Sequence, residues 1–330
     1  AAAAFDVSSH YDTQIQQYFA PNSESLKVSA QAPRMLRYGE NPHQRGWFYG
    51  RLEDKLEQLG GKELSFNNLV DVEAALGLAD EVEGTFVAII KHSNPCGCAL
   101  GETVAQAWKR ALEADPLSAF GGVIACNGVV DEEAAAEMDQ IFFEVLAADD
   151  FTSGALEILS KKKQRILLRR RQRVREGSEA RKLLGGWLVQ DSDLRVLTFP
   201  DLEFKTSRQP SESELADVFF GDLVCKHMKS NAIALVKGGQ LIGSGVGQTS
   251  RIDALRQALA KAQEKGFDLS GAVLASDAFF PFADSVEAAW KAGIRVVVEP
   301  GGSLRDADSI QFCETHHMSL LFTGLRHFRH

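Results

Sequence analysis

Short apolar runs alternate with amphipathic stretches along most of the chain. Apolar residues recur at helical spacing over Asn68–Glu83, and the run FVAII that follows predicts a strand over Thr85–Lys91. Helical spacing returns at Thr103–Glu113, and beyond the Asp115-Pro116 turn Gly122–Asn127 predicts another short strand. The second half repeats the theme with a helix over Ser213–Val224 and strands over Ala232–Lys237 and Leu241–Val246. The KGGQ segment between those strands is a good hairpin turn. A helix at Arg251–Lys265, a strand at Ala272–Ser276, a helix at Ser285–Ala292 and a strand at Arg295–Glu299 complete the pattern. Apolar strands set between helices imply an α/β fold with buried sheets. Lys91-His92-Ser93-Asn94 and Lys226-His227-Met228-Lys229-Ser230-Asn231 read as a short echo, which suggests a unit built twice.

Composition narrows the class. With 330 residues, 45% of them hydrophobic and 25% charged, the chain fits about two globular domains, and disorder and fibrous structure are excluded. No apolar run approaches the ~20 residues needed to cross a bilayer. The start, AAAAFDVSSHYD, has no basic region followed by a long apolar stretch, so neither a membrane partner nor secretion is expected. Five cysteines without CxxC spacing favour free thiols in a reducing compartment, the cytoplasm. The net charge of −9 argues against a nucleic-acid partner. From Lys161 to Lys182, however, eleven Lys and Arg stand against two Glu. No aromatic residue there offers a stacking platform, so the block reads as a solvated strand and loop. The polar segment Asn22–Pro33 reads as a linker that separates Tyr11–Phe19 from the rest.

The segment IIKHSNPCGCALG, Ile89 to Gly101, is the densest in chemistry. An apolar strand empties into Lys91-His92, then into a Pro-Gly turn of small residues. Ligands of open α/β sheets bind beyond carboxyl strand ends. An imidazole there can move protons near neutrality while an ammonium stabilises an oxyanion. A zinc hydrolase of the nucleoside-deaminase kind needs H-x-E and P-C-x-x-C. Here Asn94 replaces the Glu, and Cys96 and Cys98 are spaced by one residue, so no zinc is expected and both cysteines read as turn packing. His316, His317, His327 and His330 lack a nearby carboxylate cluster and are not expected to bind metal. Other polar candidates are Leu36–Gln44, with Arg37 and Tyr38, and the glycine-rich Gly245–Arg251 turn, which opens a helix. The SDAFFPF segment, Ser276–Phe282, offers a wall for a flat heterocycle.

Taken together, LRYGENPHQ, SFNNLVD, KHSNPCG, DPLSAFGG, ILSKKK, SNAI, GVGQTSR, SDAFFPF and LRHFRH resemble the AICAR transformylase domain of the bifunctional purine-biosynthesis family. They stand in family order over Leu36–His330. The resemblance implies tandem cytidine-deaminase-like α/β/α units without zinc, at 34–200 and 201–330. Residues 1–33 are similar to the end of a cyclohydrolase domain, so ring closure is not expected of this chain. It implies formyl transfer from 10-formyltetrahydrofolate to AICAR by a homodimer with active sites at the interface. Lys91 and His92 match the catalytic pair. Arg37, Tyr38, Asn68, Asn231, Phe279, Phe280 and Arg326 match nucleotide contacts. Phe120, Gly121, Glu144, Arg251, Ile252, Pro281 and Asp284 match the folate side. A structural monovalent cation near Ser230 and Asp277 is also implied.

Overall fold

The apolar runs assemble into two six-stranded sheets. The computed structural model describes residues 1–20, 25–31, 33–173 and 177–330. Positions 22–24 and 32 of the expected linker, and Val174, Arg175 and Glu176 of the Arg-rich block, lie outside the described residues.

Helix α1 (Ala2–Phe19) buries none of its residues, and β1 (Pro33–Met35) pairs with β2 (Trp47–Tyr49) in a small ribbon. The first large sheet contains β3 (Leu56–Gly60), β4 (Phe86–Lys91), β5 (Asn94–Leu100), β6 (Val123–Val130), β7 (Val145–Phe151) and β8 (Ile166–Arg170). Its helices are α2 (Phe66–Glu81), α3 (Val104–Ala114), α4 (Pro116–Ala119), α5 (Glu132–Met138) and α6 (Ser153–Leu159). A largely exposed hairpin of β9 (Ser178–Leu183) and β10 (Gly186–Asp191) follows. The second sheet contains β11 (Glu203–Phe204), β12 (Ile233–Val236), β13 (Leu241–Gly245), β14 (Val273–Ser276), β15 (Val296–Glu299) and β16 (Ser319–Phe322). Helices α7 (Glu212–Lys226), α8 (Arg251–Glu264), α9 (Asp284–Lys291) and α10 (Asp306–Thr315) accompany it.

The strand orders are β3-β8-β7-β6-β4-β5 and β11-β16-β15-β14-β12-β13. In each sheet an antiparallel edge strand, three mutually parallel strands and an antiparallel hairpin follow one another. The helices that precede the two hairpins start alike. Ser65 forms a capping box with Asn68, and Ser211 forms one with Glu214. Beyond each cap lie Leu69 and Asp71, or Leu215 and Asp217, and a lysine closes the next strand 26 positions after the serine, Lys91 or Lys237. The counterpart of Lys91-His92-Ser93-Asn94 is therefore Lys237-Gly238-Gly239-Gln240. The Lys226–Asn231 echo is corrected: it starts at the end of α7 and leads into β12, a place the first turn does not occupy.

The close approach of each hairpin to the following helix needs glycine. A Cβ on Gly97 would stand 2.0 Å from the Ala111 carbonyl oxygen, and one on Gly243 would stand 2.5 Å from that of Ala258. The segment from Asn94 to Leu100, expected as a loose turn, is strand β5. Because β5 is an edge strand, Pro95 withholds no hydrogen bond that the sheet requires.

One apolar core is shared by the two sheets, with Val72, Leu78 and Phe86 of the first half against Val218, Phe220 and Val298 of the second. Separate cores lie beneath α3, around Trp108, and beneath α8, around Leu255 and Phe280. The hairpins also touch directly, where the Leu100 N–H donates to the Gly239 oxygen at 2.8 Å and Gln240 Nε2 donates to the Arg110 oxygen at 2.7 Å. The Arg-rich block departs from its solvated reading only at and just before β8, since Lys161–Lys163, Arg171, Arg173, Arg181 and Lys182 are exposed. Arg165 is buried against Asp139, Arg170 pairs with Asp80 and Asp149, and Arg169 meets Glu57 at 2.7 Å. Carboxylates supplied by other elements absorb the positive charge, a pairing that no local window of sequence reveals.

Candidate active site

Lys91 pairs with Asn94 across the β4–β5 hairpin, so the turn between them is just His92 and Ser93. Both are left-handed, with φ of 51° and 62°, a conformation that suits Gly, Asn or Asp better than these residues. The Ser93 N–H donates to Asp71 Oδ1 on α2 at 2.7 Å. Lys91 is half-buried and its Nζ donates to the Phe120 carbonyl, whereas His92 is exposed. Gly121, at φ 72°, leaves room beside Lys91: a Cβ there would stand 3.6 Å from Nζ. The exposed Phe120 ring lies 5.6 Å from that of Phe142. Glu144 sits just ahead of β7; its N–H donates to the Gly122 oxygen at 2.9 Å and its carboxylate meets Lys62 at 2.6 Å.

The tip is at the carboxyl end of β4, as expected, but β4 runs antiparallel to β6. The parallel strands β6, β7 and β8 therefore begin, rather than end, at this place. The rule that ligands gather beyond carboxyl ends applies instead to the second sheet, where Asp277, Phe279 and Glu299 follow or end parallel strands.

Helix α2 also holds the Arg37–Tyr38 loop, since Asn67 Nδ2 donates to the Glu40 oxygen at 3.0 Å. Arg37 donates to the Tyr38 hydroxyl at 2.9 Å. Asn68 is buried, and its side-chain oxygen is committed to the capping box.

Asn94 Oδ1 accepts from the Lys229 N–H at 2.9 Å and joins the tip to the segment entering β12. Next along the chain, Ser230 exchanges backbone and hydroxyl bonds with Arg329, each 3.0 Å, and the Ser230–Asn231 peptide is cis. Asn231 accepts from Arg251 Nη2 at 2.6 Å and donates to the Gln248 oxygen at 2.7 Å. The Arg251 guanidinium is buried and also reaches Ser276 at 3.0 Å and the Asp277 carboxylate, whose Oδ2 has no partner. Arg251 thus faces inward as a clasp, while Ile252 beside it packs on the outer core.

Of the two phenylalanines expected to face a heterocycle, Phe280 is fully buried and is withdrawn by the core; Phe279, 38% exposed, keeps a ring available. Pro281 and Asp284 are exposed, and among the described residues neither is hydrogen-bonded to the Lys91–Asn94 turn. Arg326 is exposed and lies over the Phe328 ring at 4.5 Å. His327 is buried, with Nδ1 2.6 Å from Asp193 and Nε2 3.6 Å from Asp222, carboxylates invisible to a search of the neighbouring sequence. Burial pulls its pKa down, but Asp222 and then Asp193 outweigh this and hold it above the ordinary imidazole value.

Sequence reasoning passed over Glu299. Its Oε2 accepts from the Phe280 N–H at 2.5 Å, Oε1 is buried without a partner, and burial pushes the carboxyl up to about 8. The unfolded chain releases this proton near the usual carboxyl pKa, while the folded chain keeps it to about 8. Stability should therefore fall as pH rises between those values and level off above, by on the order of 5 kcal/mol in all. Glu299→Gln should flatten the melting temperature across pH 5–8; a slope equal to that of the unmodified chain would contradict this assignment.

Among the described residues no group of three or more His, Cys, Asp and Glu is arranged to hold a metal ion. All five cysteines are free and buried, and burial pushes Cys96 up to about 12. No described helix is long and apolar enough to cross a membrane. A cleft of about 260 Å³ between α2, α7 and Arg195–Leu197 is lined by none of the expected site residues.

The AICARFT/IMPCHase bienzyme family model matches residues 1–261. The chain belongs to this family. Among its relatives, the bifunctional purine biosynthesis protein PurH of Bacteroides thetaiotaomicron is 51% identical over all of this chain and 65% of its own length. The PurH proteins of Chlorobium phaeobacteroides and Aquifex aeolicus are 43% and 45% identical over 100% and 99% of this chain, each over 66% of its own length. The chain thus spans about two-thirds of the curated family members it matches. A solved deaminase/reductase from Thermotoga maritima, described as a diaminohydroxyphosphoribosylaminopyrimidine deaminase, is 22% identical over 28% of this chain and 30% of its own, with a TM-score of 0.23. A likeness that slight adds nothing to the family assignment.

Proposed function

We propose that the chain transfers a formyl group from 10-formyltetrahydrofolate to the 5-amino group of AICAR, giving FAICAR and tetrahydrofolate in purine biosynthesis. The observation that carries this reading is family membership, with purine-biosynthesis relatives aligned over the whole chain. The AICAR amine is a weak nucleophile because its lone pair is delocalised into the ring. Its nitrogen attacks the formyl carbon, and collapse of the tetrahedral intermediate breaks the bond to the folate nitrogen. His92 takes the amine proton. Lys91 stabilises the oxyanion and assists protonation of the departing folate nitrogen.

Arg37, Tyr38 and Arg326 bind the nucleotide phosphate and its surroundings, Asn68 and Asn231 orient the base, and Phe279 packs on the ring. Phe120, Gly121, Glu144, Ile252, Pro281 and Asp284 form the folate side, with Arg251 acting through Asn231 and Asp277. The two sheets with their helices form tandem deaminase-like units, 34–200 and 201–330, behind an N-terminal segment 1–33 similar to the end of a cyclohydrolase domain. The protein acts as a cytoplasmic homodimer that completes each site across its interface, as the family resemblance implies, with the exposed Pro281 and Asp284 open to a partner. The partnerless Asp277 Oδ2, with Ser230 nearby in sequence to Asn231, suits a structural monovalent cation. Incubating the chain with AICAR and 10-formyltetrahydrofolate should release tetrahydrofolate, followed by its absorbance. A folded chain that releases none overturns the reading.

A further inference from the structure

The two hairpins of the duplicated fold are braced in the same way. In the second, Asp217 is the sixth residue of α7, and its carboxylate accepts the Gly238 and Gly239 N–H groups at 2.6 and 2.7 Å. In the first, Asp71 is the sixth residue of α2, and it accepts the Ser93 N–H at 2.7 Å. The turns differ in their burden. Gly238 and Gly239, at φ 58° and 70°, adopt the left-handed region at no steric cost. His92 and Ser93 sit in the same region with side chains that disfavour it, at roughly 1–3 kcal/mol each. Such a conformation persists only where its surroundings over-determine it. Four residues before Asp71 on the same face of α2, Asn67 holds the loop that bears Arg37 and Tyr38.

We propose that Asp71 is a positioning residue of the formyl-transfer site: from α2 its carboxylate fixes the left-handed His92–Ser93 turn and so sets the bearing of Lys91 and His92. The inference rests on the function proposed above. It adds that one rigid helix places the catalytic pair and the Arg37–Tyr38 loop relative to each other. Asp71 acts on the backbone of the turn and needs no contact with substrate.

The test compares Asp71→Ala and Asp71→Asn with Asp217→Ala, reading both turnover and hydrogen exchange at the Ser93 amide. Asp71→Ala should lower kcat by ~10–100-fold, the loss that a small misplacement of reacting groups produces, with KM for AICAR little changed. Its Ser93 amide should exchange faster. Asp71→Asn should restore both readouts, because its amide oxygen accepts the same N–H. Asp217→Ala removes the equivalent brace from the glycine turn and should leave kcat unchanged. Should Asp71→Ala not fold, Asp71→Glu, which keeps the charge but displaces the oxygen, should show the same loss of kcat. A folded Asp71→Ala with unchanged kcat and Ser93 protection overturns the proposal, as does an Asp71→Asn no better than alanine. If the unmodified chain itself transfers no formyl group, the function above fails separately, and Ser93 exchange still decides whether Asp71 is the brace.

Discussion

His92→Gly should make the protein slightly more stable and almost inactive. The imidazole is exposed, so its removal leaves no cavity, and glycine adopts φ 51° without the penalty a side chain meets there. Relief of the left-handed strain, roughly 1–3 kcal/mol, is offset by about 0.4–1 kcal/mol for the greater freedom of glycine in the unfolded chain, so a modest rise in melting temperature is expected. Loss of a general base should lower kcat by ~10²–10⁴-fold. Lys91→Ala should bring a loss of similar size through the oxyanion, with only the hydrogen bond to the Phe120 carbonyl removed from the fold. Steady-state kinetics beside thermal melts separate the two effects. Near-normal turnover in either folded variant would remove the tip from the mechanism.

The largest stability loss should follow Arg251→Leu. Arg251 joins Asn231, Ser276 and Asp277 in one buried knot, and the Asp277 side chain is fully inaccessible. Leucine would leave that carboxylate charged and unpaired, at a cost of ~3–5 kcal/mol. Asn231 would lose its donor in the same step. Chemical denaturation should show a midpoint shift of that size. A shift below about 1 kcal/mol would mean that Asp277 has another source of positive charge, which a bound monovalent cation would supply. Repeating the melt with and without potassium chloride at constant ionic strength distinguishes the two cases.

Elements with a strong local signal were legible in the sequence. Short apolar runs marked β4, β6, β12, β13, β14 and β15, helical spacing marked α2, α3, α7, α8 and α9, and KGGQ marked the second hairpin. β5 was hidden because proline, two glycines and two cysteines look like a loop; only its place on a sheet edge and against α3 makes them a strand. The Arg-rich strand β8 read as solvent-exposed because its carboxylates come from Glu57, Asp80 and Asp149, far along the chain.

The likeness of the two halves is not carried by the Lys226–Asn231 string. The informative signal was the serine cap, leucine and aspartate followed at equal distance by a lysine, in which the turn residues themselves differ. Similarly, Lys91 and His92 stood out by their chemistry, while Asp71 and Glu299 did not. An acid on a helix looks ordinary until the backbone group it accepts is known. Phe279 and Phe280 were interchangeable on paper because the direction of each ring depends on how the segment leaves β14.

The repeated aspartate brace has a consequence for engineering. Lys237–Gln240 has the same span and the same anchoring carboxylate as the loop that carries the imidazole, but its glycine carbonyls join the two halves, Gly239 through the Leu100 N–H and Gly238 through Arg110. A side chain grafted at position 239 would press on Leu100 at 3.1 Å, whereas at position 238 the nearest neighbour is the far end of Arg110 at 3.7 Å, so an asparagine or aspartate at 238 is the graft that keeps both the left-handed turn and its mooring.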